Sequence, residues 1–264
     1  MGQKVNATIF RAGLKNSECN FKYVNQNSEE SSIFLHKNIE LQNYINKIFK
    51  NFNIFIKNCK IEHTASTVNI LISFYKLNSQ NEIQRISDVI TKTISISTQL
   101  YLNNKKTVVK AQNLNIKFER TINKNPEYLK TYKKALRSFK KFLKDPFQKN
   151  LVKLLFIITF ERDSSKLLAD LISLYLVKNK KRHSYLIFLL KTVLTTLIPI
   201  NFSKIKGVKI IITGRFNGAP RAKKQNLIIG VTPLQSLNSV ISYHNSTAFT
   251  QNGTFGIKVW ICEK

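Results

Sequence analysis

Residues 213–224 read TGRFNGAPRAKK: two glycines, one proline and four basic side chains, with no acid among them. They follow GVKIIITG (207–214), a β-branched run between glycines that reads as a strand. A strand therefore ends at Gly214, and Gly218 permits a backbone conformation closed to other residues. Neither glycine carries a side chain, so a phosphate backbone can approach closely. Arg215, Arg221, Lys223 and Lys224 surround the turn, arginine offering a planar fork to phosphate and lysine a point charge. A tight turn with solvated charges explains the same residues, so the stretch has to be read in context.

Glycine usage supplies that context. The eight glycines lie at 2, 13, 207, 214, 218, 230, 253 and 256, with none between Leu14 and Lys206. A glycine-free body therefore gives way to a turn-rich β domain. PLQSLNSVISYHNSTAF (233–249) ends in a second strand, and QNGT (251–254) carries an Asn-Gly hairpin signal. FGIKVWIC (255–262) sets Phe255, Ile257, Val259 and Ile261 on one face and Lys258, Trp260 and Cys262 on the other. At least three strands form an antiparallel sheet, and two preceding helices cover its apolar face. Those helices are SSKLLADLISLYLVK (164–178), with Ser164 or Ser165 as N-cap, and a buried one from His183 that Pro199 ends.

Within the body, NIELQNYINKIFKNF (38–52) has Ile39, Leu41, Ile45, Ile48 and Phe49 on helical spacing. Strands are predicted over 54–62 and 67–75, a helix over 82–102, and a final strand within 107–120, where Leu114, Ile116 and Phe118 alternate with polar residues. The order helix, two strands, helix, strand is a small α/β unit. From Lys124 to Lys153, ten basic residues meet two acids, with Tyr128, Leu129, Tyr132, Leu136, Phe139, Phe142 and Leu143 interleaved at a helical period. Three readings fit this segment: a solvated helix anchored by its apolar stripe, an RNA-contacting basic helix, and a membrane-surface helix.

Over the whole chain of 264 residues, 43 Lys+Arg face 14 Asp+Glu, a formal net charge of +29. Such an excess repels itself in a compact state and calls for a polyanionic partner, nucleic acid first and an anionic membrane surface second. Hydrophobic content of 43% excludes a disordered basic tail. The longest apolar region, 183–200, is interrupted by Lys191 and falls short of a membrane span. No signal or transit peptide is read at MGQKVNATIF. The richness in Lys, Asn, Ile and Phe is that of A+T-rich codons, as in compact or organellar genomes. Cys19, Cys59 and Cys262 are far apart and odd in number, which fits buried thiols in a reducing compartment. The four histidines show no ligand spacing, and no nucleophile elbow, phosphate loop or zinc-protease motif occurs. Neither an enzyme, a metal site nor a cofactor is expected.

At both ends the sequence resembles the family of small-subunit ribosomal protein three. In the C-terminal part, Thr213, Gly214, Arg215, Gly218, Ala219, Gly230, Pro233 and Leu234 match the family's pattern, as do Gly253 and Gly256 to Ile261. MGQKVNATIFRAG resembles its opening, and KLLADLISLYL (166–176) its interdomain helix. The resemblance implies an α+β protein: an N-terminal extension (1–35), a K-homology-type domain (36–123), a basic helical insertion (124–163) and a C-terminal domain (164–264) with an antiparallel sheet on two helices. It also implies a structural role in the head of the small ribosomal subunit, at the side where mRNA enters, with small-subunit rRNA, mRNA and neighbouring head proteins as partners. Neither a membrane nor a second copy of the chain is expected as a partner. The RNA-binding candidates are Lys4, Arg11, Lys133, Lys134, Arg137, Lys140, Lys141, Arg215, Arg221, Lys223 and Lys224. Lys178, Lys180, Lys181 and Arg182 are candidates for contact with incoming mRNA, because Tyr185-Leu186-Ile187 stands where the family usually has Phe-Arg-Arg. A K-homology domain clamps nucleic acid with a G-x-x-G loop. That loop, expected near residues 74–84, cannot exist in a stretch without glycine. These features favour a protein of the mitochondrial matrix; a plastid or a reduced bacterium is the alternative. A free RNA-binding or chaperone protein remains the rival function.

Overall fold

The computed structural model describes residues 5–14, 20–23, 27, 29–64, 66–77, 91–99, 106–139, 146–179 and 183–264. The fold is α+β, in two units: Glu18–Lys117, and Met1–Ser17 together with Phe118–Lys264. Helix α1 (Ala7–Phe10) belongs to the latter.

The first unit contains β1 (Phe21–Lys22), α2 (Glu30–Asn51), β2 (Ile54–His63), β3 (Thr67–Lys76), α3 (residues 91–99) and β4 (Lys106–Asn113). The sheet order is β1-β2-β3-β4, with β2 antiparallel to β3 and the outer two pairings parallel. Asn53, at φ 54, lets the chain leave α2 and enter β2 within two residues. Helix α2 buries Leu41, Ile45 and Phe49 on the sheet, one stripe at helical spacing. Alternation along β2 is only partial because a bulge between Ile56 and Asn58 moves the buried set from Ile54 and Ile56 to Cys59 and Ile61. Ile94 of α3 completes this core. The helix–strand–strand–helix–strand order agrees with the expected one. Residues 82–90 and 100–102 of the predicted helix, and 78–84 of the expected loop, lie outside the described residues.

One strand prediction is corrected. Strand β4 stops at Asn113, and residues 114–124 are helix α4 (Leu114–Lys124). Leu114, Phe118 and Ile122 are buried, four residues apart, so i and i+4 fit the helical period as well as the alternating one. Local hydrogen bonding decides between them: the Asn113 Oδ1 accepts the Asn115 N–H at 2.9 Å, a helix-start bond.

The second unit continues with α5 (Pro126–Ser138), α6 (Pro146–Phe160), α7 (Ser165–Lys178) and α8 (His183–Leu197). Next come β5 (Ile205–Gly214), a 3-10 turn at Phe216–Gly218, β6 (Lys223–Gly230), β7 (Ile241–Thr250) and β8 (Gly253–Glu263). The sheet is wholly antiparallel, in the order β6-β5-β8-β7. Helix α7 packs on β7 and β8, α8 on β6, and α6 on both helices. Val208, Ile210, Ile212, Phe255, Ile257, Val259 and Ile261 face them and are buried.

Two expectations change here. The basic segment 124–163 is two different things. Helix α5 buries no residue, whereas α6 encloses Leu151, Val152 and Leu154 through Ile158, apolar nearly all round as an interior helix must be. Strand β6 was hidden in the sequence, since its lysines read as part of the turn. As an edge strand it buries only Ile229, which leaves little alternation to detect.

Candidate nucleic-acid interface

Three aromatic rings fix the turn after β5. Phe216 is buried with its centroid 5.5 Å from that of Phe255 and 6.2 Å from that of His183, and the His183 and Phe255 rings meet at 5.2 Å. Gly214 makes room for this cluster, because a Cβ there would overlap the Phe255 ring, lying 2.7 Å from Cγ. The missing side chain thus admits Phe255, not a phosphate backbone, which corrects the first reading of this glycine. Gly218 behaves as expected, at φ 78, directly after Asn217 at φ 54.

Asn217 and His183 form a reciprocal latch that sequence reasoning missed. The Asn217 backbone N–H donates to His183 Nδ1 at 3.1 Å, and Asn217 Oδ1 accepts the His183 backbone N–H at 3.2 Å. The second bond caps the first residue of α8 from 34 positions away in sequence. Because Nδ1 accepts, Nε2 carries the proton, and it donates to the Asn179 carbonyl at 2.7 Å. Burial lowers the His183 pKa, partly opposed by that backbone bond, so the ring stays neutral as the latch requires. No spacing rule could have joined residue 183 to residue 217; only the packing of α8 on β6 and the turn does.

On this rigid base the cations are exposed. Arg215 Nε donates to the Ala219 carbonyl at 2.8 Å, which holds the guanidinium at the turn. Arg221, Lys223 and Lys224 are exposed along the next nine residues, and pairing sets Lys223 opposite Gly214 and Lys224 opposite Thr213. No Asp or Glu occurs between residues 171 and 262, and the sheet's one carboxylate, Glu263, pairs with Ile205 at the opposite end of β5 from these cations. Such fixed cations suit a phosphate backbone.

The remaining candidates divide. Lys133, Lys134 and Arg137 are exposed on α5, while Tyr132 of the same helix packs edge-on to Phe156 at 4.8 Å and Tyr128 meets Phe202 at 5.8 Å. The aromatic stripe is therefore the anchor and the basic face points to solvent. Lys178 is exposed in the last turn of α7. Lys4, Lys140, Lys141, Lys180, Lys181 and Arg182 lie outside the described residues. Arg11 is corrected from RNA contact to structural staple. It is buried, and Nη2 donates to the carbonyls of Leu234 at 2.8 Å and Ser236 at 2.7 Å, while Nη1 donates to that of Ala7 at 2.9 Å. Among the described residues, no group of three or more His, Cys, Asp or Glu is placed to hold a metal ion. No helix among them is long and apolar enough to cross a membrane.

The fold just described is matched over residues 190–261 by the family model for ribosomal protein S3, C-terminal domain. Over these residues the chain is similar to the C-terminal domain of ribosomal protein S3. Small ribosomal subunit protein uS3 of Thermotoga petrophila is 45% identical over 56 residues, which is 21% of this chain and 27% of that protein. Its counterpart in Aquifex pyrophilus is 46% identical over 56 residues, 21% of this chain and 24% of the relative. That of Fervidobacterium nodosum is 40% identical over 84 residues, 32% and 38% respectively. The chain thus matches about a quarter to two fifths of the length of these relatives. The S3 domain takes in most of α8, the turn, Arg215, Arg221, Lys223, Lys224 and nearly all of the sheet.

Proposed function

We propose that this chain is a structural constituent of the small ribosomal subunit, binding rRNA and carrying out no catalytic step. One observation carries the reading: the segment that matches the S3 C-terminal domain presents an acid-free cluster of exposed cations on a turn locked by Phe216, Phe255 and the His183–Asn217 latch. Arg215, Arg221, Lys223 and Lys224 take rRNA phosphates, and Lys133, Lys134 and Arg137 of α5 add a second basic face. In this reading the chain lies in the head, beside neighbouring head proteins, with Lys178 and the basic residues after it near incoming mRNA. Residues 36–123 are a K-homology-type module that packs without a nucleic-acid clamp, since its sequence has no glycine from which to build one. The A+T-biased composition supports a mitochondrial ribosome.

The test is fractionation after a high-salt wash. The chain is expected to stay with the small subunit, and the Arg215→Ala/Arg221→Ala variant to incorporate poorly. Recovery of the unaltered chain as a free RNA-binding protein, with a steep salt dependence but no particle, would overturn the assignment.

A further inference from the structure

Helices α7 and α8 cover one face of the C-terminal sheet, with α6 behind them. The other face carries Lys209, Trp260 and Tyr243 in one cross-strand row, since Lys209 pairs with Trp260 and Trp260 with Tyr243. The next row holds Lys258, opposite Ile211 and Asn245, and the one after it holds Lys224 opposite Thr213. Rows on one face are two residues, about 7 Å, apart. Each of these three rows therefore supplies one lysine, and none contains a carboxylate. Trp260 and Tyr243 stand at 5.1 Å with 39° between their planes, both partly buried with the remainder open to solvent, and Lys209 Nζ lies 5.6 Å from the Trp260 centroid. Helix α1 closes the end of this face, where Ala7 packs on Ile241 and Cys262 and the near sides of Tyr243 and Trp260 pack against that cluster. Lys258, Asn245 and Lys224 beyond it are exposed.

From these rows we infer that the open face of the sheet is a second RNA surface, which takes an unpaired strand. A nucleobase stacks on the Tyr243–Trp260 pair and the phosphates run past Lys209, Lys258 and Lys224. A paired helix keeps its bases inside and offers only backbone to such a face. An unpaired strand uses both the aromatic pair and the cations. An acidic protein would use the lysines but would leave the open part of the rings without a matching planar group. The surface meets the phosphate contacts proposed at the turn only at Lys224, and its stacking pair and its other two lysines lie apart from them.

Trp260 is the chain's single tryptophan, so its fluorescence reports this face alone. The full chain is titrated with a short single-stranded RNA, with an RNA duplex of equal length and with inorganic polyphosphate, while anisotropy of labelled RNA follows total binding. The single strand is expected to quench Trp260, and the duplex and polyphosphate to bind without quenching. Lys209→Ala/Lys258→Ala should lower the salt slope for the single strand by about 1.4, at about 0.7 per phosphate contact. Tyr243→Ala should weaken binding about tenfold and Tyr243→Phe should restore it, as stacking requires. The two lysines reach solvent, so their variant keeps the test valid if Tyr243→Ala does not fold. Binding of the single strand with Trp260 emission unchanged, equal quenching by polyphosphate, or an unaltered slope in the lysine variant would each overturn the inference. None of these results touches subunit incorporation, which tests the ribosomal assignment separately.

Discussion

Gly214→Ala separates a glycine kept for packing from one kept for phosphate approach. The added Cβ would overlap the Phe255 ring, 2.7 Å from Cγ and from Cε1. That ring is 1% exposed and is hemmed in by His183 and Phe216, so it cannot swing aside without disturbing both. Overpacking a filled core costs about 1–3 kcal/mol, and the depth of the overlap sets this case near 3. For a unit of this size each kcal/mol lowers Tm by about 2–4 °C, so the variant should melt roughly 6–12 °C below the parent. Gly218→Ala meets only the mobile end of Asn252, at 3.3 Å, but sits at φ 78. Its cost of about 1–2 kcal/mol is that of a left-handed conformation, with no steric share to relieve. The two are told apart by adding Phe255→Leu. With the ring gone, Gly214→Ala should lose at least about 1 kcal/mol of its penalty, whereas Gly218→Ala should keep all of it. The assay is thermal and urea unfolding of the three single variants, Phe255→Leu included, and the two doubles. Equal penalties for Gly214→Ala with and without Phe255 would refute the packing account, and so would weaker RNA binding at full stability.

Arg11→Ala should cost about 2–3 kcal/mol in urea unfolding, because it removes charge-assisted bonds from a buried guanidinium to one buried and two part-buried carbonyls, and Arg11→Lys should recover less than half, since an ammonium cannot span Ala7, Leu234 and Ser236. Burial is the main cause lowering the pKa of both His183 and His244, and Lys166 adds to it at His244. The folded state therefore binds fewer protons than the unfolded one below the ordinary histidine value near 6.5. Stability is then full above about 6.5 and falls as pH drops, so Tm should decline between about pH 7 and 5.5, with a flatter profile in His183→Gln/His244→Gln. Burial also pushes the Cys262 thiol up, and Cys59 is enclosed, so a thiol reagent should modify both only on unfolding; fast labelling of either in the native chain would contradict their placement.

The sequence was most legible where one period stood alone. The alternation of Phe255, Ile257, Val259 and Ile261 and the Asn-Gly hairpin predicted β8 and its turn, and the strand is there. It misled where two periods share positions, as at Leu114 and Phe118, and where an edge strand such as β6 has little to bury. The turn's cations were visible as charge, but their rigidity depends on a ring cluster and a latch whose members are dozens of residues apart. Arg11 shows the opposite limit: an arginine in a basic opening segment reads as a phosphate ligand until its carbonyl partners, more than 220 residues on, are in place.

That last separation has a consequence for biogenesis. Arg11 leaves the translating ribosome 223 residues before Leu234, roughly 11–45 s at 5–20 residues per second. Throughout that interval the guanidinium has no carbonyl to receive it and the apolar side of α1 has no Ile241 or Cys262 to cover. The opening segment must therefore wait, unpaired and cationic, until the last strands emerge. Its docking is a late, long-range closure that signals the completion of the C-terminal sheet.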